Sequence, residues 1–183
     1  MKILGKNNVA LVTWHESHFH HLYPIANNPN IAKNLRDAFP KPYTIHDARF
    51  WIEYNVKFNP PQNFAIEYND TLVGSIGGEI CKDELRTNME IGFWIAESHW
   101  GKGIASEALV LYTEYLLDKF PNIKRIYSQV FDYNIASMKV FEKAGFEPEA
   151  ILKDAYIKDD KVGDIFQYVI IRAEVDKATR AED

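Results

Sequence analysis

The sequence predicts one domain of mixed α/β class, with a mixed sheet and helices on both of its faces. Three observations lead to this class. Short runs with apolar residues at every second position alternate with longer stretches at helical spacing. Their order is a pair of strands, a strand-helix-strand unit, and a helix followed by two strands. The 183 residues contain no repeat and no Gly/Ser-rich linker, as expected for one compact unit.

The first part of the chain predicts a strand, two helices and a hairpin. Residues 9–13 are β-prone, and a helical stretch that contains four histidines follows towards Pro24, before 27–30 break the chain. Thr44 and Asp47, three positions apart, predict a capping box at the start of the second helix. Residues 64–68 and 72–80 alternate around an Asn-Asp turn, which predicts a β-hairpin.

The second part predicts four strands and two helices. Residues 89–96 alternate apolar and polar side chains, and a helix follows to Phe120, where Pro121 ends it. Residues 125–131 form the next strand, and a helix over 134–143 stops at Gly145. The last two strands, 146–157 and 165–171, are joined by a polar turn at 158–163.

Composition excludes several classes of partner and location. Twenty-one basic and 26 acidic residues give a net charge of 21 − 26 = −5, which disfavours nucleic acid as a partner. The lone Cys81 cannot form a disulfide within the chain, and we interpret it as structural. No window approaches the ~18 apolar residues of a membrane helix, and the amino terminus lacks a signal-peptide core. We expect a cytoplasmic protein that does not enter membranes, either a monomer or a homodimer.

The turn Gly101-Lys102-Gly103 ahead of a long helix predicts an anion site. The first N–H groups of a helix lack partners within the helix, and its dipole favours negative charge there. A Gly-x-Gly turn alone fits a plain strand-to-helix connection equally well. The P-loop requires Ser or Thr after Lys102, where Gly103 stands. The dinucleotide fingerprint requires glycine in place of Ser106, so a nucleotide-binding Rossmann domain is the third-ranked alternative.

Two motifs together resemble the GNAT family of N-acetyltransferases. Residues 100–105 are similar to the phosphate loop of that family. Residues 134–146 resemble the Asn-x-x-Ser helix, ending in Gly-Phe, of its ribosomal-protein-alanine acetyltransferase branch. The resemblance covers residues 8–172 as one N-acetyltransferase domain and leaves 173–183 as a polar tail.

The resemblance implies a mostly antiparallel sheet whose central strands separate like a V, with acetyl-CoA as co-substrate and no metal. The pantetheine arm would pair with the main chain at one strand end, the glycine loop would hold the pyrophosphate, and the Asn-x-x-Ser helix would contribute further contacts. The implied cofactor-binding residues are Trp94, Ile95, Ala96, Gly101, Lys102, Gly103, Ile104, Ala105, Ser106, Asn134, Ser137 and Lys139.

Acetyl transfer to an amine suggests three catalytic candidates. The main-chain N–H of Ile95 would stabilise the oxyanion. Glu90 would accept the proton of the amine, with Glu79 in reserve, and Ser137 would lie near the departing sulfur. Phe141 occupies the position at which many members of the family carry a tyrosine that acts as the general acid, and phenylalanine cannot donate a proton. A non-catalytic module that binds or senses acyl-CoA is therefore the alternative to an enzyme.

The acceptor is expected to be a primary amine, either a protein N-terminus or a small molecule. His15, His18, His20 and His21 are close enough in sequence to bind a metal together, but no carboxylate or cysteine partner has ligand spacing. Within the resemblance, their segment instead forms part of the wall of the acceptor pocket.

Overall fold

The computed structural model describes residues 1–173, which contain eight strands and five α-helices. The strands are β1 Lys2–Leu4, β2 Val9–Thr13, β3 Asn63–Tyr68, β4 Thr71–Ile80, β5 Asn88–Ile95, β6 Arg125–Phe131, β7 Glu147–Lys158 and β8 Lys161–Ile171. The helices are α1 Phe19–Ala26, α2 Pro29–Ala32, α3 Ile45–Asn55, α4 Ile104–Lys119 and α5 Ile135–Lys143. Within the described residues, every helix is too short or too polar to cross a bilayer. The expected tail at 173–183 lies, except for Ala173, outside the described residues.

The strands form a mixed, mostly antiparallel sheet, as the sequence predicts. Their order is β1, β2, β3, β4, β5, β6, β8, β7. β5 and β6 are parallel, and their ladder runs only from the Asn88–Arg125 pair to the Glu90–Tyr127 pair. β6 instead pairs with β8 along its whole length. The early end of the parallel ladder agrees with the separation of central strands that the resemblance implies.

The chain forms two compact units. The first consists of Met1–Gly77 and Phe93–Tyr112, and the second of Gly78–Gly92 and the chain from Thr113 onward. β4, β5 and α4 each contribute one part to each unit.

Local sequence signals explain the helices of the first unit. The hydroxyl of Thr44 accepts a hydrogen bond from the N–H of Asp47, and the Asp47 side chain accepts one from the N–H of Thr44, which confirms the capping box. α1 and α3 direct Leu22 and Ile52 into an aromatic core. Half-buried aromatic side chains, Phe19, Phe39, Trp51 and Trp94, pack against this core.

The second unit is held by bonds at the ends of its helices. Gly145 ends α5 at a φ of +85°, and the N–H of Phe146 returns to the carbonyl of Phe141 at 3.0 Å. The two phenyl rings meet edge to face. The guanidinium of Arg172 donates at 2.7–2.9 Å to the carbonyl of Leu117, in the last turn of α4, and to those of Phe120 and Ile123, which follow the helix.

Two predicted connections are wrong in detail. The turn of the last hairpin contains only Asp159 and Asp160, at φ of 48° and 60°, so β8 begins at Lys161 instead of Ile165. Both central residues of this turn have the positive φ of a two-residue hairpin, although neither is glycine or asparagine. The predicted break at 27–30 contains the start of α2, where the Asn28 side chain caps the N–H of Asn30.

Candidate active site

A left-handed glycine turn leads from β5 into α4. Gly101 and Gly103 have φ of +74° and +76°, which side chains other than glycine rarely adopt. The N–H of Glu107 bonds to the carbonyl of Gly103 at 3.2 Å. The three N–H groups before it, those of Ile104, Ala105 and Ser106, belong to the first turn of α4 and have no acceptor within the helix. The turn can therefore present several main-chain donors to one anion.

The space around this turn allows a ligand to approach the main chain closely. A Cβ placed on Gly101 or Gly103 meets no heavy atom of the chain within 4 Å. The carboxylate of Glu107, which is in the first turn of α4, accepts the N–H of Lys6 at 2.6 Å and is thereby held by the β1–β2 turn. A ligand oxygen can therefore approach the glycine backbone closely.

Lys102 and His99 meet around one tyrosine ring beside the turn. The ammonium of Lys102 lies 6.0 Å from the centre of the Tyr68 ring, and the His99 ring is edge-on to the same ring at 6.1 Å. Burial, and secondarily the charge of Lys102, lower the pKa of His99. His99 therefore favours its neutral form.

Trp94, Ile95 and Ala96 at the end of β5 were predicted to bind the ligand through their main chains. Of these three residues, Ile95 directs its main-chain groups away from β4. The N–H of Ala96 donates to the Val73 carbonyl at 2.7 Å, and the Ala96 carbonyl accepts from His99 at 2.8 Å. Because neighbouring residues of a strand direct their main-chain groups to opposite edges, Ile95 faces away from β4. Its carbonyl accepts the indole N–H of Trp100 at 2.7 Å. The Ile95 N–H is therefore the main-chain donor of this segment best placed for a ligand.

The remaining predicted site residues belong to the second unit. Glu90 is half-buried on β5, on the opposite face from the buried Met89 and Ile91. Asn134 is the N-cap of α5, and its side-chain oxygen accepts the N–H of Ser137 at 3.2 Å. Ser137 is half-buried, and Lys139 is exposed on the same helix.

Phe141 and Cys81 of the second unit, and the aromatic Tyr133, lie in packing contacts. Phe141 is 1% exposed and stacks on Tyr168. Tyr133 stacks on Phe131, and the Cys81 sulfur lies 3.6 Å from the hydroxyl of Tyr127. These contacts agree with the structural interpretation of Cys81.

The histidines of the first unit lie near one another without forming a ligand set. His15 and His18 rings meet edge to face, and the Nδ1 of His18 accepts the N–H of His15 at 3.1 Å. Burial is the largest influence on the pKa of His18 and lowers it. Within residues 1–173, no three His, Cys, Asp or Glu side chains are grouped so that they could hold a metal.

Sequence comparison identifies the family. The model of the acetyltransferase (GNAT) domain matches residues 8–147, which is more than half of the chain. This chain belongs to the GNAT family of acetyltransferases. The matched range includes the glycine turn, the end of β5 and α5.

Curated GNAT relatives are similar over part of their length. A Bacillus licheniformis N-acetyltransferase, p20, is 28% identical over 61% of this chain and 62% of its own. A probable N-acetyltransferase of Bacillus subtilis, YjcK, is 33% identical over 61% of this chain and 64% of its own. These matches thus span less than two thirds of the relatives' lengths.

Solved structures share the GNAT fold. RimL, described as a ribosomal L7/L12 alpha-N-protein acetyltransferase in complex with coenzyme A, superposes with a TM-score of 0.81. The match covers 93% of this chain and 98% of RimL at 20% identity, so it shows a common fold.

Sequence reasoning missed two features of the site. The indole bond from Trp100 to Ile95 joins the glycine turn to the strand, and Asn28 and Asn30 bond to Glu97. A tryptophan just before the glycines was the only sequence signal for the first contact. The second joins residues 67 and 69 positions apart, and no local pattern indicates it.

Proposed function

We propose that this chain transfers an acetyl group from acetyl-CoA to a primary amine. The observation that carries the proposal is the left-handed glycine turn, which presents the first-turn N–H groups of α4 beside the outward-facing Ile95. Membership of the GNAT family and the names of its relatives as N-acetyltransferases support the same reaction. A reaction that consumes acetyl-CoA also favours a cytoplasmic location, where this thioester is supplied.

The pyrophosphate of CoA fits the glycine turn chemically. Its charge matches the positive end of the α4 dipole, which is equivalent to roughly half an elementary charge. Lys102 adds an ammonium at the same place. We assign the diphosphate to residues 101–106 and the pantetheine arm to the Ile95 edge of β5. The Ala96 main chain contributes by its bond to Val73 of β4.

The reaction is a direct displacement. The amine nitrogen attacks the thioester carbonyl, the carbon–sulfur bond breaks, and the products are an amide and the thiol of CoA. We assign the oxyanion to the N–H of Ile95. Glu90 is proposed as proton acceptor from its place on β5. Asn134, Ser137 and Lys139 are proposed as further contacts to CoA or its sulfur from the Asn-x-x-Ser motif to which they belong.

The acceptor is proposed to be a protein N-terminus or a small amine. RimL, described as an alpha-N-protein acetyltransferase, has the same fold, and this likeness supports a protein N-terminus as the acceptor. The buried Phe141, which offers no hydroxyl, favours the alternative of an acyl-CoA-binding module without turnover.

Two measurements test the proposal. Calorimetry should detect binding of CoA, with NAD and ATP as controls for a nucleotide-binding domain. A thiol reagent should then detect release of CoA from acetyl-CoA that depends on added amine. Binding without amine-dependent release would support the acyl-CoA-binding module, and absence of CoA binding would refute both functions.

A further inference from the structure

A groove in the first unit lies beside the end of β5. It has a volume of about 490 Å³, and its walls include Pro24, Ile25, Ala96 and Glu97. The lining combines the apolar side chains of Pro24, Ile25 and Ala96 with polar ones, and Glu97 is its one charged residue; the polar members are Asn27, Asn28 and Ser98. Ala96 directly follows Ile95, to which we assign the reacting carbonyl. A molecule in this groove would therefore lie close to the proposed reaction site.

The carboxylate of Glu97 is held in place by two amides. The Nδ2 of Asn28 donates to one oxygen at 2.8 Å, and the Nδ2 of Asn30 donates to the other at 2.9 Å. The side-chain oxygen of Asn28 accepts the N–H of Asn30, and that of Asn30 accepts the ammonium of Lys33. Each amide must therefore turn its NH₂ group towards Glu97.

This arrangement suits recognition of a cation. A carboxylate has about four acceptor sites, so two amide donors leave roughly half of them for a ligand. The bonds from Asn28 and then Asn30, aided by the charge of Lys33, lower the pKa of Glu97. A carboxylate that resists protonation is a poor proton acceptor for catalysis and a good anchor for an ammonium group.

We infer that the groove binds a second positive charge of the acceptor, so that the preferred substrates are amines with an alkyl spacer and a second cationic group. Diamines, polyamines and lysine-rich peptide ends belong to this class. The side chains of Pro24 and Ile25 would contact the spacer while Glu97 holds the distal ammonium. This inference rests on the proposed acetyl transfer and names the acceptor class for it.

The kinetic test compares two acceptors that differ in one charge. Cadaverine carries a second amine, and 5-aminopentan-1-ol carries a hydroxyl in its place. Glu97→Gln should lower kcat/KM for cadaverine roughly tenfold, through KM, because a charge-assisted hydrogen bond is lost. The same variant should change kcat/KM for the amino alcohol less than about twofold. Glu53→Gln, which removes an exposed charge from α3, is the matched control and should affect neither acceptor.

Binding measurements keep the inference distinct from the proposed function. Calorimetry of the CoA-loaded protein with cadaverine should show weaker binding in Glu97→Gln than in the parent chain. This readout decides the inference even if neither amine is acetylated, an outcome that would refute only the proposed function. The inference would be overturned if Glu97→Gln affected both acceptors equally or left cadaverine binding unchanged. Weaker CoA binding in Glu97→Gln would also overturn it, because the groove would then be part of the CoA site.

Discussion

Replacing Gly103 by alanine should separate a role in anion binding from a role in folding. Gly103 and Gly145 share two properties: both have positive φ, +76° and +85°, and an added Cβ at either meets no heavy atom within 4 Å. Gly103 precedes the first-turn donors of α4, whereas Gly145 ends α5. Alanine at either position should therefore cost a similar ~1–2 kcal/mol of unfolding free energy, the strain of a left-handed L-residue.

The expected effect on CoA binding differs between the two variants. A methyl group on Gly103 enters the space that we assign to the diphosphate and weakens one or two charge-assisted hydrogen bonds, each worth about 1.5–3 kcal/mol. Because 1.4 kcal/mol is a factor of ten in affinity, Gly103→Ala should bind CoA about 10- to 100-fold more weakly. Gly145→Ala should bind CoA as the parent chain does.

Calorimetry with CoA and urea unfolding measure the two quantities independently. If Gly103→Ala and Gly145→Ala lose similar stability and both bind CoA like the parent chain, the assignment of the glycine turn to the diphosphate is refuted. Gly101→Ala, at φ +74°, provides a second substitution in the turn in case Gly103→Ala rearranges it.

Two further predictions concern single side chains. Trp100→Phe keeps an aromatic ring but removes the indole donor to the Ile95 carbonyl, so CoA affinity measured by calorimetry should fall about fivefold; unchanged affinity would show that this bond does not position the turn. Arg172→Ala removes three donors to carbonyls at the end of α4 and should lower the free energy of unfolding by ~2–3 kcal/mol in urea titrations. Lys119→Ala removes a cation at the same helix end that forms an ion pair with the adjacent Asp118, and it should cost less than ~0.5 kcal/mol; equal losses would contradict the role given to the Arg172 bonds.

Most of the elements were predictable because their signals are local. The strand at 125–131 agrees with β6 at both ends, and the Thr44–Asp47 capping box starts α3 as predicted. Alternation with period two and capping pairs three residues apart act within a few positions of the chain. The last hairpin was mispredicted because Asp159 and Asp160 adopt positive φ without the glycine or asparagine that normally indicates such a turn.

Some features of the candidate site were likewise predictable from local sequence, and others were not. The glycine turn ahead of a helix was predictable from local sequence, since helix-terminal N–H groups and left-handed glycines are properties of adjacent residues. Local sequence did not predict that Ala96 is bonded to Val73 or that Ile95 therefore faces the other edge of the strand. Nor did it predict the bond between Asn28 and Glu97. Those contacts depend on which strands are neighbours and which loops meet them, and this follows from packing of the whole sheet and its helices.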